Sequence, residues 1–264
     1  YRPQNFEDLM GQEIMVQTLK NAFKTNRIAH AYILTGVRGI GKTTTARLLA
    51  RSLNYETDLI NEPNIEMPEI GKHCEEIMES RHIDVIEMDA ASRTGIADIR
   101  EIIDSINYSP SSARYKIYII DEVHMLSKAA FNGLLKTLEE PPAHVKFIFA
   151  TTEVQKIPLT ILSRCQRFDL RRFDNDMIRS LINKVCEKEM VSIDDQIINL
   201  IARASGGSAR DSLSLLDQAM ALSTDGNISE EKIRQMLGMS DQSRVIDLYE
   251  YISCLLYTSP SPRD

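Results

Sequence analysis

The fold of this chain is decided by residues 31–53, which read AYILTGVRGIGKTTTARLLARSL. A short apolar run opens the stretch and predicts a buried strand over 31–35. The loop after it matches the pattern G-x-x-x-x-G-K-[ST] from Gly36 to Thr43, and a helix is predicted over 43–53. A strand, a glycine loop and a helix in this order indicate a phosphate-binding loop and not a chance glycine turn.

The residue types of this loop suit a nucleotide phosphate. Glycines let backbone N–H groups curl around phosphate oxygens, and the helix N-terminus adds the positive end of its dipole. Lys42 would reach the β- and γ-phosphates, and Thr43 would ligate Mg²⁺. We therefore expect ATP and Mg²⁺ to be held by the loop residues Gly36, Val37, Arg38, Gly39, Ile40, Gly41, Lys42, Thr43 and Thr44.

Three further apolar runs follow the phosphate loop, at residues 83–88, 116–120 and 145–150. Apolar residues recur at helical spacing between them, over 96–106 and 126–138, and two prolines end the second pattern. Short buried strands that alternate with helices are typical of parallel sheets covered on both faces. The fold class predicted is α/β, a P-loop NTPase core with a parallel sheet sandwiched by helices.

Two acidic residues, Asp121 and Glu122, directly follow the apolar run 117–120. A buried strand that delivers a carboxylate at its C-terminal end is the Walker B arrangement. Asp121 would hold the Mg²⁺ hydration shell, and Glu122 would act as general base on the attacking water. Two acids can also form an ordinary solvated strand end, but their pairing with the phosphate loop favours NTP hydrolysis.

Three more residues are candidates for the same chemistry. Thr152 lies just after the run 145–150 and has a hydroxyl that could contact the γ-phosphate or the water, although threonine is also simply a good strand residue. Arg164 and Arg210 each lie just outside a regular element. Arginine suits the charge on a transferring phosphoryl group, whereas an exposed arginine without such context is usually a solvated surface residue.

The pattern changes after residue 172, where strands give way to helical spacing alone. Asp174 is a plausible N-cap for the first of these helices. Four helices are predicted, over 177–190, 194–204, 209–222 and 229–237. The domains expected are a nucleotide-binding core over 1–172 and a small all-helical lid over 173–238.

The C-terminal stretch fits neither domain. Residues 253–264 read SCLLYTSPSPRD, which has no period and ends in a Pro/Ser-rich run. A non-native tail and a native linker are both open interpretations of this stretch. Because the chain starts at Tyr1 and not at Met, we interpret it as an internal fragment.

Composition limits the possible partners and location. The 264 residues carry a formal net charge of −7, which gives no support for autonomous DNA binding. The four cysteines form no C-x-x-C pair, which favours reduced thiols in a cytoplasmic protein. No apolar run approaches the roughly 18 residues of a membrane span, so no membrane association is expected.

The motifs together resemble the gamma/tau family of bacterial DNA polymerase III subunits, the clamp-loader motors of the AAA+ superfamily. The resemblance covers roughly residues 1–252. Its markers are Tyr1-Arg2-Pro3, Gly11-Gln12, the loop 36–43, the segment 121–127 (DEVHMLS), the segment 138–142 (LEEPP), Ser163-Arg164-Cys165 and Arg210-Asp211. As a set these markers are highly specific, whereas the phosphate loop alone is not.

The resemblance implies roles for residues that spacing alone does not assign. Tyr1, Arg2, Pro3, Met10 and Gly11 resemble the segments that embrace adenine. Thr152 matches the sensor 1 position of the family. Arg164 matches the arginine finger that completes the neighbouring subunit's ATP site, and Arg210 matches the sensor 2 residue of the lid.

The resemblance also implies partners. These are the other clamp-loader subunits, a sliding clamp, and primer–template DNA bound through the assembled complex. The polymerase activity in the family name would belong to the holoenzyme. Oligomerisation in the family uses a collar after the lid, of which only residues 239–252 would be present here.

One departure from the family concerns zinc. The family usually has a four-cysteine zinc module between the phosphate loop and the second strand, but here Tyr55, Pro68 and Gly71 stand where three cysteines would fall. Only Cys74 remains, with His73 beside it, and two adjacent residues cannot close a tetrahedral site. We expect no zinc, with apolar residues packing in its place, namely Leu59, Ile60, Ile65, Met67 and Ile70.

Other functions stay open at this stage. A related AAA+ motor, such as an archaeal or eukaryotic-type small clamp-loader subunit or a branch-migration motor, is disfavoured by the segment 121–127. A nonhydrolysing structural subunit is disfavoured by Lys42, Thr43 and Glu122. A small-molecule P-loop kinase lacks any recognisable acceptor pocket.

Overall fold

The structure, a computed structural model, describes residues 1, 3–92, 95–222, 230–238 and 249–254. The predicted site residue Arg2 lies outside the described residues. So do residues 239–248 of the expected collar and residues 255–264 of the expected tail. Residues 249–254 are helical, so Ser253 and Cys254 lie in a helix.

The chain divides into two compact units. The first consists of Tyr1–Met177 together with Gly207–Arg210, and the second of Ile178–Gly206 together with Asp211–Asp264. The short segment that carries Arg210 is therefore part of the first unit, although it follows helices of the second in the chain.

A five-stranded sheet with the order β2-β3-β4-β1-β5 forms the centre of the first unit, and every neighbouring pair is parallel. The strands are β1 (Ala31–Thr35), β2 (Val85–Asp89), β3 (Lys116–Asp121), β4 (Val145–Thr151) and β5 (Gln166–Asp169). Four of them confirm the predicted strands. The polar edge strand β5 was not predicted.

The first helix of this unit precedes β1, and the others connect the strands as a parallel sheet requires. These helices are α1 (Glu13–Lys24), α2 (Lys42–Leu53), α3 (Cys74–Met78), α4 (Ile96–Ile106), α5 (Lys128–Glu139) and α6 (Leu159–Leu162). The predicted α2, α4 and α5 are confirmed. Ser127 caps α5, because its hydroxyl accepts a hydrogen bond from the N–H of Ala130 at 3.2 Å.

Both faces of the sheet are covered by apolar cores, as predicted. On one face, Leu19 of α1 and Leu48 of α2 pack with Ile148 of β4. On the other, Leu134 of α5 packs with Phe149 of β4. Each such fully buried side chain contributes roughly 1.5–3 kcal/mol to folding. The sheet is therefore a rigid platform for the loops at its edge.

The segment between α2 and α3 packs differently from the expectation for a zinc-free module. Ile65 and Met67 are buried and Ile60 is partly buried, as expected. The expectation was wrong for Leu59 and Ile70, which are 89% and 83% exposed. Tyr55, buried at 1% exposure, fills the interior instead.

Besides the helical residues 249–254, the second unit contains all or most of α7 (Asn175–Glu189), α8 (Asp195–Ala204), α9 (Ala209–Ala221) and α10 (Glu230–Met236). Asp174 accepts a hydrogen bond from the N–H of Met177 at 2.8 Å, so its predicted capping role is confirmed. Asp194 caps α8 in the same way through Gln196. In α7 the buried stripe consists of Ile178, Ile182, Val185 and Cys186.

In the described part of the chain, every helix is too short or too polar to cross a membrane.

Candidate active site

The predicted catalytic residues other than Arg164 lie at or beside the carboxyl edge of the sheet. Parallel strands end at the same edge, and the register pairs Thr35 of β1 with Thr151 of β4. The N–H of Gly36 donates to the carbonyl of Thr151 at 3.3 Å, which joins the start of the phosphate loop to the end of β4. Asp121 lies at the end of β3, next to β4 in the sheet.

The phosphate loop has the backbone conformation that its glycines predict. Gly39 and Gly41 have φ angles of +80° and +94°, which side chains rarely adopt. A Cβ on Gly39 would also lie 2.0 Å from the Ser208 hydroxyl. Because Gly41 is the N-cap of α2, the first N–H groups of that helix face the loop. The loop is built to approach an anion closely.

Lys42 occupies the centre of this loop. Its side chain is buried, and Nζ donates to the carbonyls of Gly36 at 3.1 Å and Val37 at 3.0 Å. Burial lowers the pKa of Lys42, while the charges of Glu122 and Asp121 act to raise it. The loop thus holds a buried lysine amino group at the position where a bound phosphate would contact it.

Thr43 and Asp121 are in direct contact, as the predicted Mg²⁺ site requires. The Thr43 hydroxyl donates to Oδ2 of Asp121 at 2.5 Å, across 78 residues of sequence. A hydroxyl and a carboxylate are hard oxygen ligands that suit Mg²⁺. The two side chains therefore fit a Mg²⁺ ion, whether directly or through its waters.

Glu122 is held at the same edge by an unusual backbone. Its φ of +46° is left-handed, and its N–H donates to Oδ1 of Asp121 at 2.9 Å. Oε2 of Glu122 accepts hydrogen bonds from Thr152, from the N–H at 3.1 Å and from the hydroxyl at 3.0 Å. The structure thus brings together Glu122 and Thr152, two residues that are 30 positions apart.

The backbone of Arg210 also lies beside the phosphate loop. Its N–H donates to the carbonyl of Gly39 at 3.1 Å, within the first unit. The exposed side chain of Arg210 extends from a position next to the loop. This placement fits a residue that contacts the nucleotide bound to its own chain.

The N-terminal segment is tied to the same region at one end. Gln12 exchanges two hydrogen bonds with the backbone of Arg171, at 3.2 and 3.3 Å. Leu170, one residue earlier, donates its N–H to the carbonyl of Thr35 just before the loop. Because Gln12 is bound next to the start of the phosphate loop, its neighbours Met10 and Gly11 also lie close to the loop. Pro3 is half-buried, and Tyr1 is 55% exposed.

Arg164 has partners of a different kind. Its guanidinium donates to the carbonyl of Thr160 at 2.7 Å and to Oε1 of Glu139 at 2.8 Å. Both partners are on its own chain and outside the phosphate loop. These bonds hold the Arg164 side chain at the surface beside α5 and α6, and neither partner belongs to the cluster around Lys42.

Two residues of this region were missed by sequence reasoning. His124 contacts Glu122 and Glu153, and Glu139 contacts Arg164. Both lie inside the segments DEVHMLS and LEEPP, which served only as family markers. The signal available for His124 was its position two residues after the candidate base Glu122. No local feature of the sequence marks Glu139.

The residues around Tyr55 and His73 are joined by hydrogen bonds. The Tyr55 hydroxyl donates to the carbonyl of Glu69 at 3.0 Å, and Nδ1 of His73 lies 2.9 Å from Nε2 of His82. Cys74 is buried nearby at the start of α3. In the described ranges, no group of three or more His, Cys, Asp or Glu side chains is placed to hold a metal.

The purified protein should contain well under one equivalent of zinc. Tyr55 and His73 already have hydrogen-bonding partners, and Cys74 offers a single thiolate where a structural site needs four ligands. Elemental analysis measures the metal, and thermal unfolding with and without a chelator measures its effect. Zinc near one equivalent, lost on chelation together with thermal stability, would contradict the expectation.

Comparison with known proteins gives two family matches. A family described as DNA polymerase III, delta subunit, matches residues 11–174. A second, described as DNA polymerase III clamp loader subunit, ATPase lid domain, matches residues 177–225. The two matches together cover the sheet-containing part, most of α7, and all of α8 and α9.

Individual relatives are similar over nearly the whole chain. DNA polymerase III subunit tau of Salmonella typhimurium is 47% identical over 252 residues, which are 96% of this chain and 38% of that relative. DNA polymerase III subunit gamma of Buchnera aphidicola subsp. Schizaphis graminum is 44% identical over 96% of this chain and 68% of its own length. The chain thus spans about two fifths of the tau relatives it matches.

Solved structures of Thermotoga maritima RuvB, a Holliday junction branch migration motor, share the fold. One has a TM-score of 0.64 at 19% identity and covers 90% of this chain and 74% of its own. At this identity the likeness shows the fold alone.

Proposed function

Because this chain belongs to the family of DNA polymerase III tau and gamma subunits, we propose that it is an ATP-hydrolysing motor of a bacterial clamp loader. Its role would be to load the sliding clamp onto primed DNA during replication. One observation carries the proposal: Thr43 joins Asp121 at 2.5 Å, while Glu122 lies beside them in hydrogen bonds to Thr152. This arrangement combines a cation site with a base for hydrolysis.

The roles of the loop residues follow from their chemistry. The N–H groups of the loop and of the first turn of α2 bind the phosphates, and Lys42 neutralises charge on the β- and γ-phosphates. Thr43 and Asp121 hold Mg²⁺, which when bound supplies charge stabilisation on the phosphoryl oxygens. Val37, Arg38, Ile40 and Thr44 line or support the same loop.

Residues around the γ-phosphate perform the hydrolysis in this proposal. Glu122 accepts a proton from the attacking water. The Thr152 hydroxyl, which holds Oε2 of Glu122 at 3.0 Å, senses whether the γ-phosphate is present. Arg210 contacts the nucleotide of its own chain, and its N–H beside Gly39 supports that role. Tyr1, Arg2, Pro3, Met10 and Gly11 surround the adenine.

The partners proposed are those of a clamp loader. ATP binding would order the subunits so that they grip and open a sliding clamp, and primer–template DNA would trigger hydrolysis and release. Arg164 would act on the ATP of an adjacent subunit. Its contacts with Glu139 and Thr160 on the protein's own surface support an outward-directed role. Polymerase activity would belong to other subunits of the holoenzyme, and the complex would work in the bacterial cytoplasm.

Lys42→Ala should weaken binding of ATP–Mg²⁺ by roughly 10- to 150-fold. The substitution removes a charge-assisted contact from a buried position, which is worth about 1.5–3 kcal/mol. Affinity is measured by titration with a fluorescent ATP analogue. Turnover is measured in the assembled complex with and without clamp and primed DNA.

An exposed lysine of α5 provides the control, because Lys136→Ala removes the same charge away from the loop. That variant should bind ATP as the wild type does. Equal ATP affinity in the wild type and Lys42→Ala would refute the phosphate-binding role of the loop.

A further inference from the structure

A histidine that the proposed mechanism does not use lies between two carboxylates at the active-site edge. Nδ1 of His124 is 3.0 Å from the Thr151 hydroxyl and 3.3 Å from Oε2 of Glu122. Its Nε2 is 3.4 Å from Oε1 of Glu153. The side chain is only 6% exposed, so these contacts form in a protected environment.

Local structure fixes the ring in this position. His124 is the middle residue of a short 3-10 turn, Val123–Met125, directly after Glu122. Val123 and Leu126 are buried on either side of it, so the turn cannot move outward without exposing apolar surface. The partner hydroxyl belongs to Thr151, a fully buried residue at the end of β4.

The contacts to the Glu122 carboxylate fall on one of its two oxygens. Oε2 accepts from the N–H and hydroxyl of Thr152 and faces Nδ1 of His124. With Oε2 held in this way, Oε1 is the oxygen presented to a water. A general base must be held within a fraction of an ångström of its proton, because a 1 Å misplacement can cost about 10²-fold in rate.

The opposite edge of the ring is held as well. Glu153 faces Nε2, and its carboxylate is itself bound by Lys156, with Nζ 2.8 Å from Oε1. The Glu153 N–H donates to the Thr151 hydroxyl at 3.0 Å, which closes a small network around the imidazole. The ring thus faces Glu153 with its Nε2 edge, while its Nδ1 edge faces both the Thr151 hydroxyl at the end of β4 and Oε2 of Glu122.

We propose that His124 is a positioning residue that orients the Glu122 carboxylate for proton abstraction through its Nδ1 edge. The inference rests on the proposed function, since it assumes that Glu122 is the base for ATP hydrolysis. His124 itself touches neither nucleotide nor water in this scheme. Its effect passes through Glu122, and Glu153 acts one step further out.

Three substitutions separate the two edges of the ring. His124→Asn keeps a polar amide near the position of Nδ1, His124→Gln keeps one near Nε2, and His124→Phe keeps only the ring volume. They are compared in the full-length subunit assembled with its partners. The measurements are kcat, the Kd of ATP, and affinities for ADP–beryllium fluoride and ADP–aluminium fluoride, which mimic the ground and transition states.

His124→Asn should retain most of the wild-type kcat. His124→Gln and His124→Phe should lose about 10- to 100-fold in kcat with the Kd of ATP within about twofold of the wild type. The same two variants should bind ADP–aluminium fluoride more weakly and ADP–beryllium fluoride normally. Thermal unfolding identifies any variant that fails to fold. If His124→Phe fails to fold, the comparison of His124→Asn with His124→Gln tests the positioning role.

Two results would overturn the inference while leaving the proposed function intact. One is wild-type kcat in His124→Gln and His124→Phe. The other is a parallel loss of kcat, ATP affinity and thermal stability in all three variants, which would make the ring a packing element only. A wild-type complex that binds ATP but never hydrolyses it would instead overturn the proposed function, and the inference with it.

Discussion

Glu122→Gln should bind ATP as tightly as the wild type and lose about 10²–10⁴-fold in steady-state hydrolysis. The carboxamide keeps the size of the side chain and can still accept the hydrogen bonds from Thr152, but it cannot take the proton of the attacking water. The left-handed backbone at Glu122 and the hydrogen bond from its N–H to Asp121 do not depend on the carboxylate. The Mg²⁺ ligands should therefore stay in place.

A rate assay in the assembled complex and a separate ATP titration distinguish the two effects. Glu101→Gln is the matched control, because it makes the same change at an exposed position of α4 and should leave both measurements unchanged. Undiminished steady-state hydrolysis by Glu122→Gln would exclude Glu122 as the base. A loss of ATP binding would show that the side chain holds the nucleotide rather than the water.

Much of the fold could be predicted because its strands are buried on both faces. Such strands are continuous apolar runs, and β1, β3 and β4 each have this pattern. The edge strand β5 reads Gln-Arg-Phe-Asp, with one buried residue in four, so its place in the sheet depends on pairing with β1. Pairing across 134 positions is a tertiary effect that local periodicity does not contain.

The candidate site was predictable to the extent that its parts lie at strand ends. Once the phosphate loop after β1 and the acidic end of β3 are recognised, the parallel strands place Thr43 and Asp121 at the same edge of the sheet. The contact of Glu122 with Thr152 could not be predicted in the same way, since it depends on the left-handed turn after β3. His124 was overlooked because its partners Thr151 and Glu153 are distant in sequence, at the end of β4 and just after it.

The expected packing of the zinc-free segment was wrong for a related reason. Hydrophobicity alone suggested that Leu59 and Ile70 would fill the interior. The segment instead buries Tyr55, whose hydroxyl finds the backbone of Glu69 as a partner. An irregular segment has no period, so its sequence does not indicate which apolar residues point inward.

Arg164 raises the question of which ATP it serves. Within its own chain, the guanidinium bonds Glu139 and the Thr160 carbonyl, and it remains about one third exposed. The ion pair with a half-exposed Glu139 is worth at most about 1 kcal/mol. A triphosphate from a neighbouring subunit could therefore replace it, and the hydrogen bond to Thr160 would still aim the side chain outward.

Arg164→Ala should bind ATP normally but reduce hydrolysis in the complex by about 10³–10⁵-fold at the affected sites. Arginine fingers have effects of this size because they meet charge that develops on the phosphoryl oxygens. The measurement is a mixing experiment with full-length subunits of known order. Sites on an Arg164→Ala subunit should turn over when the neighbour that supplies the finger is wild type.

The control uses the next exposed arginine along the chain. Arg167 lies three residues later and pairs with Asp169 on β5, so Arg167→Ala removes the same charge from the same surface without touching the finger. It should hydrolyse ATP at the wild-type rate. If the loss instead follows the mutant's own nucleotide site whatever its neighbour carries, Arg164 acts in cis. Arg164 would then have to leave Glu139 and reach the phosphate loop of its own chain, so that Arg164 and Lys42 act on the same nucleotide.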